Sequence, residues 1–139
     1  MQSEGLWIES ALFQPEPGED AETNPGVFGK KFAEWIATSL RGSGYTTEVV
    51  PEDWGWCVVC ARKPFLLWVG CGNVVQEHGD SGASDTSVVN TWHCFTVAEI
   101  PFWKRLFGRI DPSRAISKLE AQIKANLVAE PGIKLVAEP

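Results

Sequence analysis

The most constraining feature of this sequence is the stretch 52–73, EDWGWCVVCARKPFLLWVGCGN, which has the pattern of a β-hairpin. Residues 54–61 and residues 65–71 are apolar on both faces when they are read with the two-residue period of a strand. A polar Arg-Lys-Pro connection joins the two runs. Strands that are apolar on both faces are buried on both sides. The stretch therefore predicts two neighbouring strands at the centre of a sheet, with Trp54 and Trp56 on one face.

The flanking sequence predicts helices and further strands. Asn24-Pro25 is a side-chain cap followed by proline at a first helical position, and apolar residues at 3–4 spacing come after it. These signals predict a helix over 26–41. Pro51 is expected to end the strand over 45–50. The remaining elements predicted are strands over 5–13, 45–50 and 88–100, a polar loop over 76–87, and helices over 101–108 and 112–128.

The order of these elements, β–α–β–β–β–β–α–α, predicts an α+β fold. Runs of strands with helices at the ends favour a two-layer sandwich in which helices pack on one face of a mainly antiparallel sheet of four or five strands. A length of 139 residues suits a single domain, 1–139, with a core of its own. Residues 133–136 have two interpretations, a final edge strand or part of a disordered tail from about 130, and the second is favoured.

Composition and charge exclude several classes of protein. No apolar run approaches the roughly 18 residues of a membrane span, and the N-terminus lacks the basic segment of a secretory signal. Four cysteines are too few for a disulfide scaffold of this size, so the cysteines are expected to be reduced. Together these features predict a cytoplasmic protein without membrane contact. The net charge of −6 arises in residues 1–29, which contain six acidic residues and no Lys or Arg. An acidic chain with only a small basic patch over 101–124 is not expected to bind nucleic acid.

Cysteine and glycine motifs give no catalytic or metal site. Cys57 and Cys60 have C-x-x-C spacing, but positions i and i+3 of a strand point to opposite faces. Their sulfurs are therefore expected to be buried thiols, in preference to a redox pair or zinc ligands. No P-loop or dinucleotide fingerprint is present, and neither a metal nor a cofactor is predicted.

The motif Glu52-Asp53-Trp54-Gly55-Trp56 is the best candidate site. Two carboxylates beside two Trp rings form a suitable receptor for a cation, an amine, or a Lys or Arg side chain of a partner. In the structural interpretation the Trp pair belongs to the core, Gly55 permits the close approach of another segment, and the acids face water. The candidate ligand-binding residues are Glu52, Asp53, Trp54 and Trp56.

The order of segments over residues 26–72 resembles a group of small bacterial proteins without an established activity. The resemblance comprises an acidic loop leading into an aromatic-rich helix, then Gly44-Tyr45, the E-D-W-G-W motif, and a strand that ends near Gly70-Cys71-Gly72. It implies that E-D-W-G-W is a feature shared within that group. It supplies no substrate, cofactor or catalytic residue.

Two functions follow as hypotheses. The first is a non-enzymatic binding or interaction module that recognises a protein partner or a small cationic ligand through its acidic and aromatic residues. The alternative is a small enzyme in which Glu52 or Asp53 acts as acid or base beside Cys71, Cys94 or His93. A concave pocket joining these groups favours the enzyme, whereas a flat acidic face favours binding.

Overall fold

The computed structural model describes residues 1–74, 91–108 and 110–139, and their strands form one open, antiparallel sheet. The strands are β1 (Leu6–Glu9), β2 (Glu48–Glu52), β3 (Gly55–Ala61), β4 (Leu66–Asn73), β5 (Thr91–Glu99) and β6 (Lys134–Val136). Their order in the sheet is β2-β3-β4-β5-β1-β6. The α-helices of these residues are α1 (Lys30–Gly42), α2 (Phe102–Phe107) and α3 (Ser113–Ala129), and a 3-10 turn spans Glu19–Ala21.

The predicted α+β class and the antiparallel sheet are confirmed, but the sheet has six strands where four or five were expected. The additional strand is β6, which has only three residues and pairs with β1. Residues 134–136 therefore form an edge strand, which is the interpretation that the sequence analysis does not favour. The predicted loop 76–87 and residues 88–90 of the predicted strand 88–100 lie outside the described residues.

The central hairpin lies where its sequence predicts. Strands β3 and β4 pair with each other, and each has a second neighbour, β2 or β5. The expectation that Pro51 ends its strand is wrong, because Pro51 lies inside β2 opposite Trp56. Proline is tolerated there because β2 is an edge strand, and the missing N–H removes no hydrogen bond from the interior of the sheet.

The hydrophobic core lies between one face of the sheet and the helices α1 and α3. Each helix contributes a stripe of buried side chains at 3–4 spacing, such as Phe32, Ile36 and Leu40 of α1. Burial of one such apolar side chain stabilises a fold by about 1.5–3 kcal/mol. On the sheet, the core residues are Ile8, Trp56, Val58, Cys60, Leu67, Val69, Cys71, Trp92, Cys94 and Ala98.

Helix α1 begins at Lys30, not at residue 26, and its first N–H groups are satisfied by a side chain from a distant turn. The buried carboxylate of Glu19 accepts hydrogen bonds from the backbone N–H of Gly29 (2.8 Å) and Lys30 (3.1 Å). Asn24 instead forms a turn, in which its carbonyl accepts from the N–H of Val27. A carboxylate at this position also interacts favourably with the positive end of the helix dipole.

Candidate binding face

The turn between β2 and β3 presents the acidic half of the candidate motif to solvent. Glu52 ends β2, Asp53 and Trp54 form the turn, and all three side chains are exposed. Gly55 begins β3 with φ +155°, and a Cβ added to it would lie 2.6 Å from the carbonyl oxygen of Cys71. A side chain at residue 55 would therefore collide with the backbone of β4. The close approach expected at Gly55 is present.

Trp56 is separated from the other three candidates. Its side chain is only 3% exposed and packs in the core, whereas Trp54 is 43% exposed and contacts the opposite face of the sheet. The prediction that Trp54 and Trp56 share a face is therefore wrong. The two-residue period applies only within a strand, and Trp54 precedes β3 in a turn that reverses at Gly55.

Trp54 belongs to a row of rings on the sheet face opposite α1 and α3, called here the outer face. Its ring centroid lies 5.4 Å from that of Trp68 and 5.8 Å from that of Phe95, and the Trp68 and Phe95 centroids are 5.9 Å apart. The row continues through His93, at 5.3 Å from Phe95, to Trp7, at 4.2 Å from His93. The outer face thus carries a continuous ridge of aromatic rings across β4, β5 and β1.

The strand register explains how distant residues reach this ridge. Trp7 of β1 pairs with His93 of β5, and Phe95 pairs with Gly70 of β4. A Cβ on Gly70 would lie 2.4 Å from the Phe95 ring, so the ring lies directly over the glycine. Because Gly70 has no side chain, Phe95 can lie close to the sheet and contact Trp68 and Trp54 beside it.

Acidic side chains surround the ridge. By register, Glu9, Glu48, Glu52 and Glu99 project from the outer face, and Asp53 lies in the adjoining turn. Glu48 is paired with Arg62 at 2.7 Å, and Glu99 accepts a hydrogen bond from the Trp68 indole N–H at 3.3 Å. Within the described part of the chain, the carboxylates of Glu52 and Asp53 form no ion pair. The turn therefore presents two unneutralised negative charges beside the exposed face of Trp54.

His93 has a structural environment on the outer face. Its ring stacks on Trp7 with an interplanar angle of 13°, and its Nε2 is 3.2 Å from the backbone carbonyl oxygen of Glu4. The adjacent Gly5 has φ +101°, and a Cβ there would approach the His93 Nε2 to 2.4 Å. The imidazole is therefore fixed between β1 and the segment preceding it.

The four cysteines are free, buried thiols, as the sequence predicts. Cys60 packs in the core, whereas Cys57 pairs with Gly70 on the outer-face side, so the C-x-x-C sulfurs point apart. Burial is the main cause that raises the pKa of Cys57 and Cys60 to about 12. It raises the pKa of Cys94 to about 12 as well, with a smaller contribution from the charge of Glu120.

The structure does not assemble the groups of the enzyme hypothesis. Cys71 and Cys94 lie opposite each other on the core face, while Glu52 and Asp53 are exposed at a turn. His93 is on the outer face, but its Nε2 contacts the Glu4 carbonyl. Among the described residues, no group of three or more His, Cys, Asp or Glu side chains could hold a metal ion. Across the same residues, no helix has the length and apolarity to cross a membrane.

No family model, curated protein or solved structure matches this chain. The sequence predicts Glu52, Asp53 and Trp54 as candidates, but not the neighbouring rings of Trp7, Trp68 and Phe95. The alternation within each strand was the available signal for these rings, since it places Trp68 on the face opposite Leu67 and Val69.

Proposed function

We propose that this protein is a non-enzymatic binding module whose outer face recognises a protein partner bearing Arg or Lys side chains. The observation that carries the proposal is the exposed Trp54 ring at one end of the aromatic ridge, beside the carboxylates of Glu52 and Asp53, which form no ion pair with any residue that the structure describes. An Arg or Lys side chain can stack on an aromatic face while its charge is met by a carboxylate. Aromatic anchors inside a polar rim are typical of the strongest contacts in protein interfaces.

The packing of the ridge favours an extended partner over a small cation. The rings of Trp54, Trp68 and Phe95 contact one another at centroid distances of 5.4–5.9 Å. Rings in mutual contact leave no gap in which a small cation could be enclosed, as an aromatic cage requires. The row of rings instead continues through His93 to Trp7, and this length suits several side chains presented by another protein.

Binding of labelled peptides tests this proposal. An Arg- and Lys-containing peptide, an acidic peptide of equal length and a neutral one are titrated with the protein by fluorescence anisotropy. Only the basic peptide is expected to bind, with an affinity that falls as salt is added. Trp54→Ala should weaken that binding by about thirtyfold, because truncation of a Trp at the centre of an interface costs about 2 kcal/mol or more. Glu52→Gln combined with Asp53→Asn should weaken it and reduce its salt dependence.

A charge-matched control separates the site from general electrostatic attraction. Glu22→Gln combined with Glu34→Gln removes the same charge from exposed positions outside the turn. If this control weakens binding as much as the turn variant, the attraction is not localised at Glu52 and Asp53. Equal binding of all three peptides, or an unchanged affinity of Trp54→Ala, would also contradict the proposal.

A further inference from the structure

Helix α2 exposes a cluster of large apolar side chains that the proposed outer-face function does not use. Phe102 is 73% exposed, Trp103 61% and Leu106 62%. The helix is held at one end of the sheet, where the ammonium of Lys104 donates a hydrogen bond to the carbonyl of Pro64 in the β3–β4 turn. Single exposed apolar residues are ordinary on protein surfaces, but contiguous apolar patches mark interaction sites. Helix α2 therefore has the character of a docking element.

The charges around this helix are predominantly positive. The sequence over 101–110 contains no Asp or Glu. Lys104 lies over the Trp103 ring, with its Nζ 5.2 Å from the centroid, and Lys63 is exposed next to Pro64. Among the described residues, neither Lys63 nor Lys104 forms an ion pair with a carboxylate. A ligand of this patch would therefore meet two lysine charges at its margin.

The size of the patch favours a short segment over a second copy of the chain. A large side chain buries about 150–250 Å² at most, so three of them supply a few hundred Å². Stable dimers bury roughly 1,200–2,000 Å² in total, which a six-residue helix cannot provide by itself. A short amphipathic segment that packs around the apolar side chains of α2 needs to bury less of this protein's surface than a dimer does.

We infer that α2 docks a segment of another protein that carries apolar side chains flanked by Asp or Glu. Phe102, Trp103 and Leu106 provide the apolar contacts, and Lys63 and Lys104 select the acidic flanks. This site lies at the β3–β4 end of the sheet, whereas Glu52 and Asp53 lie at the β2–β3 turn and attract the opposite charge. The protein thus presents two docking regions of opposite electrostatic preference.

Selection from a displayed library of random peptides of about 16 residues, long enough to form an amphipathic helix, tests the inference. Peptides are selected on the wild-type protein and counter-selected on the triple variant Phe102→Ser, Trp103→Ser, Leu106→Ser. The enriched peptides are expected to be acidic and to carry apolar residues at helical spacing. An enriched peptide should bind the triple variant at least tenfold more weakly than wild type, and Lys63→Glu should weaken it severalfold.

Two further variants test whether peptide binding is specific to α2, and the triple variant itself is checked for folding. Leu12→Ser combined with Val128→Ser removes exposed apolar side chains elsewhere and should leave peptide binding unchanged. Trp54→Ala, at the outer face, should also leave it unchanged, so that failure of one docking region is distinguishable from failure of the other. The triple variant should keep the circular dichroism spectrum and melting temperature of wild type, because the replaced side chains are largely exposed.

Four outcomes would overturn the inference. They are enriched peptides that are basic or show no charge bias, equal affinity for wild type and the triple variant, loss of binding in the Leu12/Val128 control, and a wild-type dimer that the triple variant abolishes. If the triple variant unfolds, the single variant Trp103→Ser and the charge variant Lys63→Glu decide the question. Unchanged peptide affinity in both would refute it.

Discussion

Replacement of Glu19 by Gln tests whether a single buried carboxylate organises the start of α1. Glu19 is 5% exposed and accepts backbone hydrogen bonds from Glu16, Gly29 and Lys30 at 2.8–3.2 Å. The Gln side chain has nearly the same shape but only one accepting oxygen. Its amide NH₂ group must then face at least one of the backbone N–H donors that the second carboxylate oxygen now satisfies.

The expected destabilisation is about 3 kcal/mol. A hydrogen bond to a charged group contributes about 1.5–3 kcal/mol, against about 1 for a neutral one, so loss of the charge weakens each bond that remains. A buried donor left without an acceptor costs about 1–3 kcal/mol more. Loss of the negative charge at the helix N-terminus adds about 0.3–1 kcal/mol. Since these contributions overlap, the total is smaller than their sum.

Urea unfolding followed by circular dichroism measures this change as a lower midpoint, and thermal unfolding should show a fall in Tm of roughly 10 °C. Glu22→Gln is the matched control, because it removes one carboxylate from an exposed position three residues away. It should change the free energy of unfolding by no more than about 0.5 kcal/mol. A destabilisation below about 1 kcal/mol for Glu19→Gln would refute the assigned role, as would equal effects of both variants.

The remaining predictions concern the turn glycine, the thiols and the last helix. Gly55→Ala should destabilise the fold by about 1–3 kcal/mol through backbone strain, and the collision with the Cys71 carbonyl should add to this loss. Gly44→Ala, at φ +97° with open space around it, is the control in urea unfolding. An equal loss of stability in the two variants would mean that no collision occurs. The four cysteines should react with a thiol reagent only after unfolding, because all four are buried, and fast labelling of the native protein would contradict this. Burial raises the pKa of Cys57, Cys60 and Cys94 to about 12, so the unfolded state ionises first and the free energy of unfolding should fall as pH rises from 9 towards about 12. The pKa of Asp111 is lowered chiefly by hydrogen bonds from Ser113, so its contribution to stability is present above pH 3.8 and is lost as pH falls through the folded pKa. Asp111→Asn should remove that part of the acid-induced loss of stability, which is measured by circular dichroism of wild type and variant. Identical acid profiles of the two proteins would contradict this.

Local patterns predicted the elements whose stability depends on their own side chains. The hairpin of β3 and β4 was evident because both faces of both strands are apolar. Helix α1 was evident from Phe32, Ile36 and Leu40 at helical spacing. Its start was misplaced because the cap comes from Glu19, which is 11 residues away from Lys30 and joins it only through a folded loop. A hydrogen bond of that range leaves no local signature in the sequence.

The candidate face could be predicted only in part for a related reason. Trp7, Trp54, Trp68 and Phe95 come from three strands and a turn, and they meet because of the pairing register between those strands. No local pattern gives that register. The sequence pattern places Trp56 on the same face as Trp54 only if the strand period is extended back past Gly55 to Trp54, which lies in the turn before β3. The acidic residues were identifiable, but their aromatic neighbours depended on the sheet.

The position of β1 between β5 and β6 has a consequence for how the chain folds during synthesis. The Trp92 indole, for example, donates its hydrogen bond to the carbonyl of Ser10, which lies 82 residues earlier. The ribosome releases the N-terminal strand long before either of its partners exists, while β2, β3 and β4 can pair in sequence as they emerge. Non-local pairing of this kind is slow because the intervening chain must be ordered first. The N-terminal strand is therefore expected to join only after β5 has emerged, and β6, which pairs with β1, completes the sheet after it. Until then, the exposed edges of β1 are the part of the nascent protein that most needs protection from aggregation.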